Sequence, residues 1–162
     1  MSRLKGSCHC GAVRFSVVSH TPHPYMRCYC SICRKTAGGG GYAINIMGDA
    51  KTLKVEGVES LSVYRVRGTE DDPQELSPAR RHFCKHCGSA LYVADPQWPD
   101  WVYPFASAID TTLPVPPEHT HIMLDFKAPW VEVPGGAKDP EFNEYPDQSI
   151  EDWHRTRGLY ES

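Results

Sequence analysis

The residues best suited to chemistry in this 162-residue chain are its seven cysteines, and none of them stands alone. Cys8 and Cys10 form one group, Cys28, Cys30 and Cys33 a second, and Cys84 and Cys87 a third. An odd count, behind a start that lacks the apolar run of a secretory leader, points to bound metal rather than to a disulfide framework. Cys84-Lys85-His86-Cys87 has the two-residue spacer in which a tight turn brings two thiolates to one tetrahedral zinc, at about 2.3 Å. In an extended chain residues i and i+2 project to the same side, so Cys8 with Cys10, and Cys28 with Cys30, are expected to present paired sulfurs. Glycines follow Cys10 and Cys87, whereas Ser31 and Arg34 follow Cys30 and Cys33, and this asymmetry suggests joining the two glycine-followed groups. One closed site of Cys8, Cys10, Cys84 and Cys87 is therefore expected, a structural zinc that closes a loop of about seventy residues and couples metal binding to folding. Cys28, Cys30 and Cys33 are left as a tripod, and three protein ligands leave a fourth tetrahedral position open to a substrate, as in a catalytic zinc site.

The elements that must position these groups read as mostly β. Apolar alternation at Val13, Phe15 and Val17, then over 43–47, 61–66, 90–94, 102–109 and 121–126, predicts strands between turn residues, and hence a small antiparallel domain. A short helix is expected over 31–37, beside the tripod. A second begins at Ser149, where Asp152 three residues on resembles a capping box and Gly158 suits the stop. Ten of the fourteen prolines lie from Pro96 onward, which excludes long helices there. The length suits a single domain spanning 1–162, with a core of about 3–133 and a C-terminal extension over 134–162.

Charge adds a second hint. The chain has a net charge of −3 and no membrane-length apolar run, so neither a nucleic-acid nor a membrane partner is expected, and a cytoplasmic location is. Residues 141–162 carry six acids against two arginines, which argues further against nucleic acid. No acid precedes Asp49, while Arg3, Lys5, Arg14, Arg27, Arg34 and Lys35 do. Part of that positive charge can balance seven thiolates against two divalent ions. Alternatively, Arg34 and Lys35, next to Cys33, receive substrate carboxylates. The remaining features have plainer readings. Gly38 to Gly41 is a turn rather than a phosphate loop, and Glu70 to Asp72 a solvated loop. His9, His82 and His86 are surface groups or supports for the ligands, His119 and His121 are weak ligand candidates, and Trp98, Trp101 and Trp130 are core or pocket walls.

Three segments together, Gly6-Ser7-Cys8-His9-Cys10-Gly11-Ala12-Val13, Cys28-Tyr29-Cys30-Ser31-Ile32-Cys33-Arg34-Lys35 and Phe83-Cys84-Lys85-His86-Cys87-Gly88-Ser89, resemble the glutathione-dependent formaldehyde-activating enzyme family, which includes centromere protein V. The resemblance continues at Lys127-Ala128-Pro129-Trp130. It implies a β-tent fold, a structural zinc on four cysteines and a catalytic zinc on three. The implied reaction is addition of glutathione to formaldehyde to give S-(hydroxymethyl)glutathione, a carbon-sulfur lyase running in reverse. A thiol at the open zinc position would be deprotonated and ready to attack a small carbonyl carbon. Fold likeness alone leaves the electrophile open. Two other classes stand beside this enzyme. One is a non-catalytic, zinc-stabilised binding or scaffold protein. The other is a redox protein cycling Cys30 and Cys33, for which Cys28 and the lack of a βαβ pattern are a poor fit. Small-molecule partners, a glutathione-like thiol and a small electrophile, follow from the first reading.

Overall fold

Phe15 and Val17 are buried while Arg14 is exposed, and this alternation makes Arg14–Thr21 a strand, β2. Residues 1–68, 72–135 and 139–162 are described in the computed structural model. Strand β1 (Ser2–Ser7) precedes β2, and β3 (Met26–Cys28), helix α1 (Ser31–Ala37), β4 (Ala43–Ile44) and β5 (Met47–Glu56) follow it. Then come β6 (Leu61–Tyr64), β7 (Arg80–Cys84), β8 (Ala90–Ala94), β9 (Trp101–Pro104), β10 (Thr120–Ile122) and helix α2 (Ile150–Thr156). The larger sheet runs β1-β2-β5-β9-β8-β7-β6 with every neighbour antiparallel; the smaller runs β10-β3-β4. The fold is mostly β with two helices, as expected. The one parallel strand pair among the described residues, β3 with β10, joins strands too far apart in sequence for a hairpin to set their direction.

Four expected strands are shorter than their apolar patterns, and the one over 61–66 stops at Tyr64. Residues 43–47 divide between the sheets: Asn45 bridges to Phe105, Ile46 N–H donates to the Pro104 carbonyl at 2.8 Å, and β5 continues in the larger sheet. Pro104, with no N–H to give, ends β9, and Ala106–Ala108 turn as a 3-10 helix. Met123, at φ +60°, ends β10 before a second 3-10 turn at Leu124–Phe126. Strands β1, β3, β7 and, beyond Met47, β5 fall outside the expected set, because they are short or, like Arg80-Arg81-His82-Phe83-Cys84 and the half-exposed residues 49–56, mainly polar.

Each cysteine cluster is rooted in its own apolar cluster. Cys8 and Cys84 are buried with Leu4, Phe15, Leu91 and Val102; Cys28 and Cys33 are buried with Val93, Phe105 and Ile122 between the two sheets. Residues 139–162 pack back on the strands. Ser149 caps α2 by accepting from the Asp152 N–H, and Trp153 stacks on Tyr25 at 3.7 Å. Arg157 covers Trp153 and pairs with Glu118, and the Met1 ammonium donates to the Ser162 carbonyl oxygen at 2.9 Å. Trp153 is the buried tryptophan; Trp98 and Trp101 line a hollow of about 500 Å³, as expected of pocket walls, whereas Trp130 is exposed on a proline-flanked turn. Gly38 to Gly41 forms the expected turn, closed by the Gly41 N–H on the Gly38 carbonyl at 3.1 Å. Of the acidic run, Glu70 and Asp71 lie outside the described residues and Asp72 is exposed. Among the described residues no helix is long and apolar enough to cross a membrane.

Candidate metal centres

The four-cysteine cluster is built from two turns. Cys8 to Gly11 is not extended, as the i, i+2 argument expects; it is a turn closed by Gly11 N–H on the Cys8 carbonyl at 3.1 Å, with Gly11 at φ +79°. The end of β7 turns in the same manner, with Gly88 N–H on the Cys84 carbonyl at 2.8 Å and Gly88 at φ +76°. The sulfurs converge all the same: Cys10 Sγ lies 3.6 Å from Cys8 Sγ and 3.7 Å from Cys84 Sγ, and all four lie within 4.8 Å of one another. Val13 N–H points at Cys8 Sγ at 3.2 Å, and Ser89 clamps both turns, its hydroxyl accepting from the His9 N–H and lying 3.2 Å from Cys87 Sγ. That hydroxyl, with backbone N–H groups, lowers the Cys87 thiol to about 5. Four sulfurs held this way suit a closed tetrahedral zinc.

The three-cysteine cluster sits where β3 meets α1. Cys28 ends β3, Cys30 is the N-cap of α1, and Cys33 lies in its first turn, so the cap that starts the helix also aims the sulfurs inward. The Cys33 N–H donates to Cys30 Sγ at 3.3 Å, and the three sulfurs lie within 4.8 Å of one another. Hydrogen bonds from the Cys28 and Cys33 thiols, then from backbone N–H groups, hold the Cys30 thiol down at about 2, and the Cys28 thiol is pushed up in return. A sulfur that collects donors is prepared for the thiolate form a metal requires.

Arg81 on β7 was not legible as a site residue. Its guanidinium reaches Cys33 Sγ at 4.0 Å and Thr36 Oγ1 at 3.4 Å, so one strand serves both clusters, through Arg81 and through Cys84. Beside it a cleft of about 290 Å³ is lined by Thr36, Tyr64, Arg81, Phe83, Ala90 and Phe105. A more polar hollow of about 460 Å³ shares Thr36 and Ala90 with it and extends to Cys8, Ser89 and Asp110. Arg34 is half-buried and Lys35 exposed on α1; neither lines this cleft. The histidines stand apart from the sulfurs. His86 meets the Ser60 hydroxyl at 3.1 Å, His82 stacks on Tyr92 at 4.4 Å, and His9 is exposed. His121 bonds Tyr29 rather than completing a metal-ligand set, and His119 belongs to neither cysteine cluster.

The comparisons with known proteins agree with one another. Residues 3–124 match the family model for the glutathione-dependent formaldehyde-activating enzyme. A Halomonas elongata protein named for glutathione-dependent formaldehyde activation is 60% identical over 158 residues, 98% of each chain. A crystal structure of a Rhodobacter sphaeroides protein is similar with a TM-score of 0.50 and 27% identity, over 68% of this chain and 91% of that one. The match spans all seven cysteines, both turns and the strand that carries Arg81, and on these grounds the chain belongs to the glutathione-dependent formaldehyde-activating enzyme family.

Proposed function

We propose that this chain is a zinc-dependent enzyme of carbon-sulfur lyase type that joins a glutathione-like thiol to formaldehyde or a related small electrophile. The carrying observation is the Cys28, Cys30 and Cys33 tripod, three converging sulfurs with no fourth protein ligand among the described residues, beside a cleft. The family match and the Halomonas relative support the substrate pair. Cys8, Cys10, Cys84 and Cys87 hold a structural zinc in this reading, and the tripod a catalytic one. Zinc bound there supplies a Lewis acid that keeps a thiol deprotonated at neutral pH.

The chain's own residues do the rest. The Cys30 cap and the buried Cys28 and Cys33 fix three donors in place before substrate arrives, so little reorganisation is left to the reaction. Phe83, Ala90 and Phe105 make the cleft wall apolar and limit water at the reacting carbon. In the overall step the thiol sulfur bonds to the carbonyl carbon, the carbon-oxygen double bond becomes single, and the thiol proton ends on that oxygen. Arg34 and Lys35, which follow Cys33, stand as substrate-carboxylate contacts at the rim of α1.

Zinc per chain, measured by elemental analysis with and without glutathione under gentle chelation, tests this reading. Two zincs per chain, the second protected by glutathione, together with formaldehyde consumption, are expected. One tightly held zinc indifferent to glutathione, or a Cys33→Ala variant with full activity and full metal content, overturns it in favour of a structural or scaffold role.

A further inference from the structure

We propose that Arg81 is the residue by which this site selects thiols that carry a carboxylate, an inference that rests on the thiol-adduct reading above. A guanidinium has five N–H donors in a planar fork. Cys33 Sγ and Thr36 Oγ1 take two of them, at 4.0 and 3.4 Å, and both contacts are longer than a charge-assisted bond to a carboxylate. The Nε–H is buried with no hydrogen-bond partner, and no carboxylate pairs with Arg81 among the described residues. A buried, unspent donor on a permanent cation is costly unless an anion arrives to use it.

Arg81 also has the right neighbours. It lines the cleft of about 290 Å³ whose other walls, Tyr64, Phe83, Ala90 and Phe105, are mainly apolar, so an anion entering there meets one fixed cation in a poorly hydrated surrounding. The same guanidinium touches the tripod, so a ligand carboxylate on its free edge leaves the ligand's sulfur within reach of the three cysteines. A peptide-sized thiol has the two groups, thiol and carboxylate, that these neighbouring sites would take together. Were Arg81 present only to neutralise Cys33, its contact with that sulfur would be closer and its Nε–H would have a partner.

S-methylglutathione, which keeps both carboxylates and has no thiol, is titrated into the metal-loaded protein by calorimetry, alongside glutathione and its diethyl ester. Wild type is expected to bind S-methylglutathione, with at least a tenfold loss in Arg81→Gln and a smaller loss in Arg81→Lys, which keeps the charge without the fork. The preference of wild type for glutathione over its diester should collapse in Arg81→Gln. Arg80→Gln, the same charge change at the exposed neighbouring position, should bind as wild type does. Thermal unfolding and zinc content check that each variant folds, and if Arg81→Gln does not, Arg81→Lys carries the test. Arg81 variants within twofold of wild type, an equal loss in Arg80→Gln, or no binding by wild type would overturn the inference. Arg81-dependent binding without formaldehyde consumption would leave it standing and sink the functional reading; turnover with binding intact in Arg81→Gln would do the reverse.

Discussion

The Tyr29 hydroxyl lies 2.9 Å from Nδ1 of His121, and both side chains are sealed from solvent. Tyr29 stands between Cys28 and Cys30, so this bond ties the middle of the tripod to β10. Asp139 Oδ2 lies 3.5 Å from Nε2 of the same ring, which favours the Nε2–H tautomer and leaves Nδ1 to accept from Tyr29. Two backbone bonds reinforce the tie: Tyr29 N–H to the Ile122 carbonyl at 3.1 Å and Phe142 N–H to the His121 carbonyl at 2.8 Å.

Tyr29→Phe should therefore do two things. Leaving Nδ1 buried without a partner costs about 1–3 kcal/mol, read from urea unfolding at pH 7.5. Loosening the chain between two ligands should also lower metal affinity at the tripod about 10- to 100-fold in a chelator competition, with the four-cysteine site unmoved. An unchanged chelator profile would confine the Tyr29–His121 bond to stability.

The two cysteine clusters should respond differently to loss of a ligand. Cys84 is fully buried and joins the strand β7 to the N-terminal turn across a long loop, so Cys84→Ala removes a ligand and a core side chain together. A loss of several kcal/mol or failure to fold is expected. Cys30 is only half-buried, and Cys30→Ala should remove one metal per chain while costing about 1 kcal/mol, chiefly the helix cap. Zinc analysis and calorimetric melting on both variants decide it; equal losses of stability would favour a purely structural tripod.

How far this arrangement was legible follows from what holds each part. The division into four and three cysteines rests on local spacing and glycine placement, which the chain displays directly. Helix α2 was legible for the same reason, through the Ser149 cap, whereas the Cys30 cap of α1 shows only in the structure. Arg81 gave no signal because its role depends on β7 pairing with β8 so that its guanidinium meets a helix far away in sequence. The division of 43–47 between two sheets was equally hidden, since Ile46 is as buried in the crossing as it would be in a strand. Trp130 misled because an aromatic ring in a proline turn can lie outside the core.

Acid should loosen the packing of α2 through His154. Its ring is buried beside Tyr25 and Trp153, Nε2 accepts from the His23 N–H at 3.2 Å, and Nδ1 lies 2.7 Å from the Ile150 carbonyl. Burial first, with His23 and Arg157 nearby and Glu161 opposing, lowers this histidine to about 4. A lowered histidine binds its proton less readily folded than unfolded. Its neutral form therefore supports the fold fully above the unfolded value of 6.5, and that support is lost as pH falls from 6.5 towards 4, with no further change below. The shift corresponds to about 3 kcal/mol. Urea unfolding at pH 7.5, 5.5 and 4 should show a shallower decline for His154→Gln than for wild type; parallel declines would assign the acid sensitivity to other groups, the cysteines foremost.

Gly88 and Gly57 make a matched pair for asking whether the metal turn is strained or merely crowded. Both have positive φ, at +76° and +81°, where an L side chain costs about 1–2 kcal/mol. A Cβ on Gly88 would meet nothing within 4 Å, whereas one on Gly57 would clash with the Ala12 carbonyl oxygen. Gly88→Ala should therefore cost only the backbone energy, and Gly88→Asn less than that, because asparagine tolerates the left-handed region. Gly57→Ala adds a backbone clash to the same backbone energy and should cost at least twice as much. Urea unfolding of the zinc-loaded proteins measures the difference. A Gly88→Ala cost as large as that of Gly57→Ala would mean that the Cys84 to Gly88 turn must hold its φ more tightly than steric freedom requires, as a turn clamped by two metal-sulfur bonds, through Cys84 and Cys87, would.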